Sequence, residues 1–127
     1  HPTEAKECEW QEAAFGMLGL ETALSIVQKT MVDTGLISWQ QVAERMSYAP
    51  ARIGRYEQQG QPLVEGSAAN IVVMNPTQMW TVDRDLVLSK SSNTPYHGQQ
   101  LPGVIMHTFF KGKHVLNNGV VAQNGAK

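Results

Sequence analysis

The side chains that could do chemistry in this chain are few, and most are poorly placed for it by spacing alone. His97, His107 and His114 share no metal-ligand spacing with one another or with a carboxylate, so they read as surface or sheet residues. Cys8 is the single cysteine; it lies between Glu7 and Glu9, with no positive neighbour to stabilise a thiolate. Glu4, Glu7, Glu9 and Glu12, interleaved with Lys6, look like a solvated loop or helix face rather than an acid/base pair. Arg52 and Arg55 follow a helical stretch and are expected to cap carbonyls or pair with nearby acids. Phe15-Gly16, taken alone, is a core aromatic beside a helix-breaking glycine.

The elements that must carry these residues divide into two halves. Over residues 18–32 Leu20, Ala23, Leu24, Val27 and Met31 recur at three- and four-residue steps, which predicts a helix with one apolar face. Thr34-Gly35 should stop it. Ser38 followed by Gln41 has the form of a capping box and predicts a second helix over residues 39–46. Pro50 could open a further short turn over residues 50–53, ended by Gly54. Trp39 is the aromatic expected to wedge between helices.

After the turn-rich bridge of residues 62–66 the pattern becomes extended. Residues 70–74 (NIVVM) form a β-branched run closed by Asn75-Pro76, and residues 79–82 could be another strand. Two runs flank Lys111-Gly112-Lys113, which is a hairpin signal, and Asn117-Asn118-Gly119 makes a second turn before Val120-Val121. Helices followed by five short strands could be an α+β arrangement, but those strands are few for a closed sheet and the helices lack a partner layer.

Composition bounds the function classes. A chain of 127 residues, 42% hydrophobic and 17% charged, has the composition of one globular domain. Its net charge of −1 supplies no basic field for nucleic acid or an anionic membrane, leaving small ligands open. One cysteine excludes an internal disulfide and favours a reducing, cytoplasmic location. No apolar run approaches the ~20 residues of a membrane span, and the first residues lack a signal-peptide apolar core.

Two blocks carry a resemblance. HPTEAKECEWQEAAFGMLGLETAL resembles the segment after the last barrel strand of bacterial-type dihydroorotases, members of the amidohydrolase superfamily. PARIGRYEQQGQPLVEGSAANIVVMNP and SKSSNTPYHGQQLPGVIMHTFFKGKHV resemble the same family's carboxy-terminal stretch. The resemblance implies an α/β fold: the C-terminal part of a metal-dependent (β/α)8 barrel over residues 1–60, then strands of a small β-sandwich appendage over residues 61–127.

It also implies zinc-dependent, reversible hydrolysis of dihydroorotate to N-carbamoyl-L-aspartate in pyrimidine synthesis. His1 would align with the last residue of the family's Asp-His-Ala-Pro-His signature and contact substrate. Phe15 and Gly16 would align with a dipeptide whose backbone touches the pyrimidine ring. The catalytic Asp and the ligands of a binuclear zinc centre would lie upstream of residue 1, so the 127-residue piece alone is expected to be inactive and poorly folded. The implied partners are the small-molecule substrate, the rest of the same enzyme, and either a second copy or aspartate transcarbamoylase. Allantoinase, hydantoinase and a non-catalytic scaffold for aspartate transcarbamoylase are the competing readings. Asn70 stands where relatives commonly carry an acid, which should weaken a turn contact; residues 90–95 read as structural.

Overall fold

Two helical segments precede a four-stranded antiparallel meander whose strands lie side by side in chain order. The computed structural model describes residues 3–122. After a short helical turn at Thr3–Ala5, helix α1 begins as Ala23–Val27 and widens at Gln28–Val32, where Asp33 N–H bonds to the Gln28 carbonyl five residues back. Gly35, at φ +77°, ends it as its spacing predicted, with Leu36 N–H returning to the Met31 carbonyl. The helix starts later than the periodicity suggested, because residues 18–21 are held by a different segment of the chain, described below.

The buried face of α1 is not the apolar one. Thr22, Ser25 and Gln28 are 3–4% exposed, whereas Leu20 is 87% exposed and Met31 39%. Polar groups can be buried here because each has a partner: Thr22 Oγ1 donates to the Gly19 carbonyl at 3.2 Å, and the other two bond to the sheet. Ser25 Oγ donates to the Gly103 carbonyl at 2.9 Å and accepts from Trp80 Nε1 at 3.1 Å. Gln28 Nε2 donates to the Pro76 carbonyl at 2.7 Å. The ends of the expected apolar stripe, Leu20 and Met31, therefore stay exposed, while Ala23, Leu24 and Val27 between them are half-buried beside the polar face.

Helix α2 runs without a break through Trp39–Ala43, Glu44–Tyr48 and Ala49–Gly54, not as a helix plus a separate turn. Its capping box is as the sequence predicts: Ser38 Oγ accepts from Gln41 N–H and Gln41 Oε1 accepts from Ser38 N–H. Pro50 is tolerated because the turn before it is wide. Ala49 N–H bonds to the Glu44 carbonyl five residues back, so the ladder is already shifted where Pro50 lacks a donor. The left-handed stop falls on Arg55 (φ +56°), not Gly54. Gly54 serves another purpose: a Cβ there would lie 2.7 Å from the Tyr56 ring. Arg52 lies inside this helix rather than after it, and pairs with Glu44 at 2.8 Å as expected.

The two extended runs expected at residues 70–74 and 79–82 are one strand, β1 (Ile71–Thr81), so the sheet has four strands, not five. Its register with β2 (Gln100–Phe110) breaks between Asn75 and Met79, where Pro76 can sit without owing the ladder an N–H. Both predicted turns are present. Lys111 and Gly112 (φ +49° and +78°) join β2 to β3 (Lys113–Asn117), and Asn118 and Gly119 (φ +47° and +76°) join β3 to β4 (Val120–Val121).

Asn70 makes the turn contact it was expected to weaken, and adds a second bond. Its Oδ1 accepts from Lys111 N–H at 2.9 Å and its Nδ2 donates to the Gln58 carbonyl at 2.8 Å. A carboxylate could accept the first bond but could not donate the second. Trp80, rather than Trp39, is the tryptophan set between helix and sheet; Trp39 remains 39% exposed.

Among the described residues, only Val42, Ala51, Val82 and Leu101 are buried hydrophobic residues. The accessible surface is 9791 Å², where a compact chain of 14.0 kDa exposes about 6,700 Å². Residues 3–122 thus hold a small core and leave much apolar side-chain surface outside it. No helix among the described residues is long and apolar enough to cross a membrane.

Candidate functional site: the Phe15-Gly16 loop

Phe15 and Gly16 sit in a loop fastened at both ends. On the amino-terminal side, Ala14 N–H bonds to the Ala5 carbonyl at 2.9 Å, and Glu9 accepts from Glu12 and Ala13 at 2.9 and 3.0 Å. On the other side, Leu18 N–H bonds to the Asn93 carbonyl at 2.8 Å. Glu21 Oε1 holds the same distant segment by accepting from Leu88 and Ser89 N–H at 3.0 and 3.3 Å. Residues 90–95, read as structural from sequence, therefore form one wall of the loop.

The Gly16 carbonyl is the centre of this fastening. Lys6 Nζ donates to it at 2.6 Å and also contacts the Ala14 carbonyl; Asn93 Nδ2 donates to it at 3.0 Å. Lys6 is thus not one charge of a solvated acidic-basic face. Glu4, Glu7, Glu9 and Glu12 around it are exposed, as expected, while Lys6 folds back over the loop. An ammonium with three donors suits this work because it can satisfy two carbonyls at once.

Gly16 has φ +99°, and an added Cβ would meet nothing within 4 Å. The glycine is required by the left-handed backbone, and the space beside it is open. Among the described residues, no hydrogen bond uses the N–H of Phe15 or of Gly16. Two unspent peptide donors therefore stand beside a carbonyl locked by a cation. A cavity of about 180 Å³ lies between Gly16, Leu18 and Asn93. A larger one, about 450 Å³, opens between Trp10, Ala13, Phe15 and Gly16. The Phe15 ring is 95% exposed, so it is not the core aromatic that the dipeptide suggests by itself.

The other candidates fall apart from this loop or outside view. His1 lies outside the described residues. His97 Nδ1 accepts from Arg84 N–H at 3.1 Å and is 3.9 Å from Asp83 Oδ1. Cys8 is exposed. His107 and His114, expected to be unrelated, are brought together by the sheet, with His107 Nδ1 3.1 Å from His114 Nε2. Among the described residues no group of three or more His, Cys, Asp or Glu side chains converges; the resemblance places the ligands of the binuclear zinc centre upstream of residue 1. Lys6 and Asn93 were missed as loop-holding residues because their bonds join positions 10 and 77 residues apart, which no local pattern encodes.

No family model matches the chain. Curated proteins do. A dihydroorotase of Streptomyces coelicolor is 50% identical over 119 residues, 94% of this chain and 28% of that protein. A dihydroorotase of Leifsonia xyli subsp. xyli is 40% identical over 124 residues, 98% of this chain and 28% of that protein. Among solved structures, an L-hydantoinase (dihydropyrimidinase) from Arthrobacter aurescens superposes with a TM-score of 0.83 at 32% identity, covering 96% of this chain and 28% of that one. The chain spans just over a quarter of the length of the curated relatives it matches. At 40–50% identity along nearly all of its own length, it is a homologue of the dihydroorotases.

Proposed function

We propose that this chain forms the C-terminal part of a dihydroorotase, and that its Phe15-Gly16 loop holds the planar, anionic substrate of reversible dihydroorotate hydrolysis. The identity to dihydroorotases supports the reaction class, and the observation that carries the site is the pair of unspent N–H groups beside the clamped Gly16 carbonyl. Peptide donors fixed in this way suit a carboxylate or ring-carbonyl oxygen, since they need no reorganisation when the ligand arrives. Lys6 and Asn93 act as positioning residues, and His1 is assigned a donating role to the same ligand.

In this reading residues 1–60 complete a (β/α)8 barrel and residues 61–127 belong to its β-rich appendage. The apolar side chains left outside the small core, Leu20 and Ile53 among them, are the surface such a barrel would cover. Zinc and the catalytic Asp are assigned to residues outside this chain, and the proposed location is the cytoplasm.

The likeness to the L-hydantoinase favours a second reading, a cyclic amidase acting on hydantoins. Assaying the complete enzyme side by side on dihydroorotate, hydantoin and allantoin separates the two. Turnover of dihydroorotate is the expected result, and turnover of hydantoin in its place would select the alternative. Lys6→Met should raise KM about tenfold through loss of charge-assisted bonds to the loop, with zinc content unchanged. Parental kinetics in that variant would remove the loop from substrate binding.

A further inference from the structure

We infer that His107 and His114 form a chelating site for a late first-row divalent transition ion on the β2–β3 hairpin. The site depends on a register fault. Thr108 pairs with Leu116, but Phe109 pairs with His114, which leaves Val115 as an extra residue on β3. In an unbroken ladder His114 would stand opposite Phe110 and share its face. The bulge moves it opposite Phe109, onto the face that His107 also occupies by the two-residue alternation of a strand.

The consequence is visible in the rings. His107 Nδ1 lies 3.1 Å from His114 Nε2, with ring centroids 5.2 Å apart. The Phe109 ring stacks on His114 at 4.4 Å with an interplanar angle of 10°, which limits the rotation of that imidazole. Bonds of 2.0–2.1 Å from two imidazoles to one ion place the nitrogens about 2.9 Å apart at a right angle and about 3.4 Å apart at a tetrahedral angle. The observed separation lies between these values. The backbone is therefore already set for ligation, and only the rings must turn for both lone pairs to face one ion.

Without an ion, the contact is an N–H···N hydrogen bond in which one ring holds the proton and the other accepts it. On ion binding that proton moves, by exchange with solvent, to the far nitrogen of the same ring, so both ligands are neutral imidazoles and no net proton is released. Imidazole pairs suit copper(II), nickel(II) and zinc(II), with copper(II) the tightest of the three. Among the described residues no third His, Cys, Asp or Glu joins the pair. Water or an added ligand would complete the coordination shell, which sets this site apart from a catalytic zinc centre with three protein ligands. The inference uses only the hairpin and stands independently of the dihydroorotase reading.

The test is electron paramagnetic resonance of the intact protein with one equivalent of copper(II), which remains readable in the presence of diamagnetic zinc. The parent should show two equatorial imidazole nitrogens. His107→Gln and His114→Gln should each lower copper affinity at least about tenfold and lose one nitrogen from the signal, while His97→Gln should leave both unchanged. Far-UV circular dichroism checks that the variants fold, and the two-nitrogen signature of the parent needs no variant at all. A one-nitrogen parental signal, or equal copper binding in the parent and both hairpin variants, would overturn the site.

Discussion

Gly103 and Gly16 have nearly the same left-handed backbone, φ +86° and +99°, and opposite surroundings. A Cβ on Gly103 would lie 2.6 Å from Gln28 Oε1 and 2.8 Å from Met74 Cε, whereas one on Gly16 would meet nothing within 4 Å. The first glycine closes a joint: Gln28 Oε1 of α1, buried without a hydrogen-bond partner among the described residues, occupies the space beside Gly103 that a Cβ would need. The second holds a loop open. The same residue type and the same dihedral angle thus serve packing in one region and access in another, and only the neighbours tell which.

Substituting both positions breaks or sharpens that contrast most strongly. Gly103→Ala adds to the left-handed strain of about 1–2 kcal/mol a clash with the far ends of Gln28 and Met74, which can shift at low cost, so a loss of about 2–3 kcal/mol is expected in urea unfolding. Gly16→Ala carries only the strain, about 1 kcal/mol, and its main effect should be a raised KM. Equal destabilisation by the two would show that the α1–β2 joint is looser than its geometry. Ser25→Ala comes next. It removes the hydroxyl that serves both the Gly103 carbonyl and Trp80 Nε1, leaving two polar groups short of a partner, so a loss of about 2 kcal/mol is expected. The indole environment of Trp80 should change with it, readable as a fluorescence shift, while the substrate affinity proposed for the Phe15-Gly16 loop should be unchanged.

The same contrast explains what could be read from the sequence. Local codes were legible: the Ser38/Gln41 capping box, the Gly35 stop and the turns at Lys111-Gly112 and Asn118-Gly119 depend on residues within a few positions of one another. The α1 face was misread because periodicity finds the apolar stripe and not the layer it will meet. Here the sheet offers carbonyl and indole groups, so Ser25 and Gln28 turn inward and Leu20 and Met31 stay out. The Phe15-Gly16 loop was reached through family resemblance, and its anchors Lys6 and Asn93 emerged only from the fold. The His107–His114 pair was hidden for a further reason: a bulge inverts the strand alternation on which a reading of faces rests.

The smallest effect is expected where local code and structure agree most fully. Ser38→Ala removes the side-chain half of the α2 capping box, whose Gln41 N–H acceptor lies at 3.3 Å on an exposed helix end. Water can replace that acceptor, so the loss should be about 1 kcal/mol, measured by the same urea unfolding. Because α2 is anchored to the rest of the fold at Val42 and Ala51 rather than at its first residue, fraying should be confined to the first turn. Hydrogen exchange should therefore quicken at Gln40 and Gln41 and remain unchanged at Ala51. If exchange quickens through Ala51 as well, the cap is the element that nucleates α2, and the distinction drawn between local code and tertiary packing fails for this helix.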